Sequence, residues 1–161
     1  MEQIHKAKVV IFDKTGTITE GKPKVTNIEI FNDKYSENQL LRIAGSIEQT
    51  SNHPLSKAIV EKMNSKNITG DLSIKKSKTF NGKGIIAFLD DGRMVSIGNE
   101  KLMKVYQTDV SKFSDKVKMS SLSGNTTLYY SIDEEIVALI NVADTIKKEA
   151  KRQSKSSKLL V

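Results

Sequence analysis

Asp13 carries the clearest chemical potential in this sequence. It follows the short apolar run Lys8-Val-Val-Ile-Phe12 and opens the polar turn Asp13-Lys14-Thr15-Gly16-Thr17. The run is continuous and rich in β-branched residues, so it predicts a strand buried inside a parallel sheet. Ligands of open α/β sheets sit just beyond the carboxyl ends of such strands. A carboxylate there can attack phosphorus and hold the phosphoryl group as an aspartyl phosphate. That chemistry calls for a divalent cation, and Mg2+ takes few protein oxygens plus waters. The Asp13 carboxylate and the Thr15 carbonyl are the candidate metal ligands. The Thr17 hydroxyl is a candidate donor to phosphate oxygens, and Gly16 lets the backbone curl close to a ligand. By residue type alone, an aspartate after a strand is more often only a turn former.

Further along lie four more segments to weigh. Glu48 precedes His53 by five residues, and His53 sits in Ser51-Asn52-His53-Pro54-Leu55. Taken alone, a histidine before a helix-starting proline is more often a cap than a ligand contact. Asn81-Gly82-Lys83-Gly84 offers backbone N–H groups at a turn that a phosphate or ribose can approach, or else a bulge before a strand. Gly98-Asn99 reads, by residue type alone, as a helix cap. Asp144, in Val142-Ala143-Asp144-Thr145-Ile146-Lys147, reads as the N-cap of a last helix, a role compatible with supporting a ligand.

The elements that must hold these residues follow from the pattern. Residues 25–31 predict a strand. Ser36-Glu-Asn-Gln39 is a capping box, after which Leu40, Ile43, Ala44 and Ile47 keep one helical face. Pro54 suits the first turn of a second helix with Leu55, Ala58, Ile59 and Met63 on its apolar side. From Thr79 onward the style changes to hairpins, 85–89 with 94–97 around Asp90-Asp-Gly92, and 126–132 with 136–142 around Asp133-Glu134. Short helices are predicted over 99–105 and 111–119. Such a shift predicts a small α+β unit inserted into a different sheet.

Composition narrows the field. The 161 residues, 37% hydrophobic and 28% charged, suffice for one domain or two small ones with a real core. The absence of cysteine excludes disulfides and thiolate metal sites, and the two histidines, His5 and His53, are too few for a conventional zinc site. No apolar run approaches a membrane span, and the first eight residues lack the apolar stretch of a secretory signal. Lys+Arg number 26 against 19 Asp+Glu, for a net charge of +7, with lysines crowding the end. Aromatics are 6% and tryptophan is absent, so basic residues are not interleaved with stacking platforms and nucleic acid is not an expected partner.

Asp13-Lys14-Thr15-Gly16-Thr17-Ile18-Thr19 resembles the phosphorylation motif D-K-T-G-T-[LI]-T of P-type ATPases, and Ser51–Leu55 resembles the S-E-H-P-L segment of their heavy-metal branch, with Asn52 in place of the glutamate. The resemblance extends in order and spacing from about residue 8 to 150. It implies that Asp13 is phosphorylated by ATP with Mg2+. It further implies that Glu48 and His53 hold the base, that Gly82, Gly84, Gly98 and Asn99 flank the nucleotide, and that Asp144 supports the hinge and phosphate end. No T-G-D and no G-D-G-x-N-D follows Asp144, although both normally follow in the family.

The expected fold is therefore α/β with an α+β insert: an antiparallel-sheet nucleotide-binding domain (24–137) flanked by helices. It is inserted into an incomplete haloacid-dehalogenase-like phosphorylation domain (1–23 and 138–161). The resemblance implies the cytosolic part of a pump exporting a heavy-metal cation, copper being favoured, with the remainder of that pump as partner. The isolated chain is expected to be soluble, monomeric, nucleotide-binding and not turnover-competent. A binding-only regulatory module is the main alternative. A soluble phosphatase of the same superfamily is disfavoured, since Thr15 stands where its general acid belongs.

Overall fold

The computed structural model describes residues 19–146. The predicted strand before Asp13, the residues Asp13, Lys14, Thr15 and Thr17, and the lysine-rich end lie outside the described residues. Chain contacts define two compact units. The larger is Pro23–Ala143; Thr19–Lys22 and Asp144–Ile146 belong to the smaller.

The elements are β1 (Thr19–Ile30), α1 (Glu37–Glu48), α2 (Pro54–Ser65), β2 (Ile74–Phe80), β3 (Gly84–Leu89) and β4 (Met94–Gly98). Then come α3 (Glu100–Val105), a 3-10 turn (Ser111–Phe113), α4 (Ser114–Leu122), β5 (Thr126–Ile132) and β6 (Glu135–Ile146). The strands form one sheet in the order β1-β6-β5-β4-β3-β2, and the ladders from β2 through β6 are antiparallel.

Alternation along the strands sorts the core onto two faces. Ile85, Ala87 and Leu89 of β3, with Leu128, Tyr130 and Ile132 of β5, meet Leu40, Ile43, Ala44 and Ile47 of α1 and Ala58 and Ile59 of α2. Ile86 and Tyr129 face the other way, toward Leu102 and Met103 of α3 and Phe113 beside α4. Each such side chain, fully buried, contributes about 1.5–3 kcal/mol relative to exposure. The one hydroxyl deep in the first cluster is satisfied, because Tyr130 donates to the Leu40 carbonyl at 3.1 Å. A bulge interrupts the β5–β6 ladder: Tyr130 pairs with Ala138 but Ser131 with Ile136. Val137 is the extra residue, which lets Val137 and Ala138 both join the same cluster.

The helix starts follow the residues that predict them. Ser36 accepts from the Gln39 N–H while the Gln39 side chain accepts from the Ser36 N–H, closing the capping box. Pro54 opens α2. Both expected hairpins are present.

Two readings need correction, and one strand went unread. The strand expected over 25–31 begins earlier, at Thr19. β2 was not legible, because it is an edge strand whose five central residues are exposed and three of them lysines, so neither alternation nor an apolar run marks it. Lysines on an edge discourage pairing with another chain. Finally, Asp144 lies within β6 and caps no helix.

The β5–β6 turn puts Asp133 and Glu134 at φ 50° and 65°. Such a turn suits asparagine or glycine, and a glutamate in that region is strained. Glu134→Gly is expected to raise stability by about 0.5–1 kcal/mol in urea titrations.

Candidate functional site

A cleft of about 250 Å3 opens at one end of the sheet, between the start of α2 and the turns at the ends of β2 and β4. Its walls include Leu55, Phe80, Ile85, Ile97 and Leu128, so its interior is largely apolar. Six of the residues singled out from sequence line it: Glu48, His53, Gly82, Gly84, Gly98 and Asn99. Asp144 does not line it. That residue belongs to the smaller unit, where Thr19 Oγ1 donates to its Oδ2 at 2.6 Å.

Glu48 ends α1 and is only 6% exposed. Its Oε2 accepts from the Ser56 hydroxyl at 2.6 Å. Burial pushes the Glu48 carboxyl above the ordinary carboxylate range, and the Ser56 hydrogen bond offsets only part of that rise. A carboxylate kept at such a cost, beside an apolar cleft, is a candidate acceptor for a ligand donor.

His53 is the N-cap of α2, and its Nδ1 accepts from the Leu55 N–H at 3.2 Å. The cap and ligand readings are therefore compatible. Accepting at Nδ1 puts the proton of the neutral ring on Nε2, and the exposed ring face and Nε2–H remain for a ligand.

The glycines divide into two kinds. Gly82 has φ +69° and no atom within 4 Å of where a Cβ would stand, so it shapes an open turn. Gly84 has φ +139°, and a Cβ there would come within 2.2 Å of the Ile97 carbonyl oxygen. Its register partner is Gly98, so two backbones cross closely at the cleft floor. Asn99 locks this arrangement: its side-chain amide donates to the Gly82 carbonyl at 2.8 Å and its oxygen caps α3 through the Leu102 N–H at 3.2 Å. Gly84, Gly98 and Asn99 thus build the wall, while Glu48, His53 and Gly82 present groups to it.

The cleft adds residues that sequence reasoning did not single out. Ser56 is one, and the only signal for it was its place directly after the Ser51–Leu55 segment. Phe80 and Leu128 are others, and nothing local marked them, since they reach the cleft from separate strands. Lys83 brings the cleft's lysine, between the two glycines. The tripeptide Thr69-Gly70-Asp71 occurs between α2 and β2, away from the cleft, where Asp71 pairs with Arg42 at 2.7 Å on the surface. Among the described residues no cluster of His, Asp and Glu is placed to hold a metal ion, and no helix is long and apolar enough to cross a membrane. An apolar slot with one buried acceptor, a ring at its mouth and a backbone turn suits a planar, amine-bearing heteroaromatic ligand. Such a lining is that of a ligand pocket.

The sequence matches the haloacid dehalogenase-like hydrolase family over residues 7–154. It is 36% identical over 156 residues to a probable cadmium-transporting ATPase of Staphylococcus aureus, covering 94% of this chain and 19% of that protein. It is also 36% identical over 156 residues to a copper-exporting P-type ATPase of Staphylococcus haemolyticus, covering 94% of this chain and 18% of that protein. Among solved structures it resembles a zinc-transporting PIB-type ATPase in its E2.Pi state, with a TM-score of 0.76, 27% identity, and coverage of 91% of this chain and 23% of the other. The chain spans about a fifth of the length of the curated relatives it matches. With the match running from residue 7 to 154, the chain belongs to the haloacid dehalogenase-like hydrolase family, and its relatives there are heavy-metal P-type ATPases.

Proposed function

We propose that this chain is the ATP-binding and phosphorylation region of a membrane pump that exports a heavy-metal cation through an aspartyl phosphate. The observation that carries the proposal is the cleft, in which Glu48, His53 and Gly82 converge from three separate segments. The base enters the apolar slot, its exocyclic amine donates to Glu48, and the His53 ring covers it. The phosphates leave past the Gly82 turn and Lys83. At about 250 Å3 the cleft is small for a ligand pocket and suits a nucleoside with its phosphates outside.

The nucleotide-binding domain is assigned to residues 24–137, with 1–23 and 138–161 contributing to the phosphorylation domain. Asp13 is the phosphoryl acceptor: its carboxylate oxygen bonds to the γ-phosphorus as the bond to the β–γ bridging oxygen breaks and ADP departs. Lys14, Thr15 and Thr17 complete that turn, and Asp144 supports the hinge. Asp13 and the Thr15 carbonyl are the proposed residues that would hold Mg2+, which would offset phosphate charge. Copper is the first cation to test, beside the cadmium and zinc named for relatives. The remainder of the pump is the proposed partner, and this region lies on the cytosolic side. The isolated chain is proposed to be monomeric.

Binding of ATP or ADP to the chain is expected on the order of 0.1–1 mM, given few polar anchors. His53→Ala should weaken it by a few-fold to tenfold, and Asp71→Asn, on the surface, should leave it unchanged. Nucleotide titration followed by NMR tests this. Shifts that bypass His53 and Glu48 would sink the assignment.

Catalysis by these residues alone is expected to fail. Phosphoryl transfer depends on charge neutralisation at the transferred group, and the 161 residues do not include the family's G-D-G-x-N-D motif with its acidic Mg2+ ligand. Labelled ATP should leave no acid-stable label above an Asp13→Asn control. Stoichiometric, Asp13-dependent labelling would overturn this expectation.

A further inference from the structure

Beside Glu48 and His53, two serines join the cleft wall, and their hydrogen bonds run in one direction. The His53 N–H donates to Ser51 Oγ at 3.2 Å. Ser56 Oγ lies 2.9 Å from Ser51 Oγ and 2.6 Å from Glu48 Oε2. Each hydroxyl has one proton, and an ionised carboxylate only accepts. The Ser56 proton therefore goes to Glu48, and the Ser51 proton makes the bond to Ser56. The relay runs from the His53 amide through Ser51 and Ser56 to one oxygen of Glu48. Ser56 and Glu48 are each only 6% exposed, so water does not readily substitute for this donor.

We propose that Ser56, backed by Ser51, is the positioning residue that holds the Glu48 carboxylate as an acceptor and leaves its other oxygen for an exocyclic amino group of the bound base. The inference rests on reading the cleft as a nucleotide site and adds the origin of its base preference. A 6-amino purine donates to the free oxygen, whereas a 6-oxo purine brings a second acceptor against it. Losing a correct partner leaves a buried polar group unpaired, which is where strong discrimination arises.

The relay also controls ionisation. Burial disfavours the charged carboxylate and the Ser56 hydrogen bond favours it. The other titratable side chains lining the cleft are His53, at the start of α2, and Lys83, in the turn between β2 and β3. Among the described residues neither hydrogen-bonds to Glu48, so Ser56 is the side-chain donor that opposes the rise caused by burial.

The test uses the full chain and two readouts. The Glu48 carboxyl titration is followed by carbon NMR without ligand, and ADP and IDP affinities are measured at pH 7. Ser56→Ala is expected to raise the Glu48 titration midpoint and to weaken ADP about five- to tenfold, while IDP changes less than twofold. Ser51→Ala should move both readouts in the same direction by less, and it serves alone if Ser56→Ala does not fold. An unchanged Glu48 midpoint in both variants overturns the relay. A midpoint that moves in a protein that binds no ADP keeps the relay but overturns the nucleotide reading and the base preference with it.

Discussion

Gly84→Ala should destabilise the protein by about 3 kcal/mol or more, enough to consume much of a typical folding free energy of roughly 5–15 kcal/mol. Two costs add. The backbone stands at φ +139°, a region that side-chain-bearing residues avoid, and the new Cβ meets the Ile97 carbonyl oxygen at 2.2 Å and Gly98 Cα at 2.5 Å. Both neighbours are backbone and cannot swing aside. Gly82→Ala is the contrast: at φ +69° in open space it should cost only about 1 kcal/mol. Paired urea denaturation curves read the difference directly. Similar losses for the two variants would mean that β3 and β4 do not approach as closely as Gly84 and Gly98 permit.

Glu48→Gln should weaken ADP binding by about ten- to a hundredfold and yet raise stability at neutral pH. The affinity loss follows because a charged acceptor is replaced by a neutral amide, and hydrogen bonds to charged groups contribute about 1.5–3 kcal/mol. The stability gain follows from the raised carboxyl. A carboxyl whose folded pKa exceeds its unfolded value binds its proton more tightly when folded. Folding stability therefore falls as pH rises from the ordinary value of 4.5 through the raised folded value. Glutamine keeps an acceptor for Ser56 and removes the buried charge. Thermal melts should show the variant's advantage growing from pH 4 to pH 7. An advantage that shrinks over that range would contradict the buried-carboxylate account.

These two residues also show how far the sequence reaches. Glu48, His53, Gly82, Gly84, Gly98 and Asn99 were legible because a motif at fixed spacing names its members, and helix signals such as Ser36 with Gln39 or Pro54 act within one turn of chain. Local rules of capping, alternation and turn chemistry accordingly fixed α1, α2 and both hairpins in advance. Which glycine is free and which is pinned was not legible, because the pinning atoms of Ile97 and Gly98 come from a neighbouring strand. The same holds for Ser56 beneath Glu48 and for Phe80 and Leu128 in the cleft wall, all brought there by packing. β2 escaped notice since an exposed, lysine-rich edge strand is held by its β3 hydrogen bonds and carries no apolar pattern of its own. The sequence by itself determined the family, the antiparallel hairpins and most of the candidate binding residues, since those depend on residue type and spacing along one chain. The tertiary structure alone decided the division of labour between wall and ligand-facing groups and the raised protonation of Glu48, since burial and close backbone approach exist only once distant segments meet.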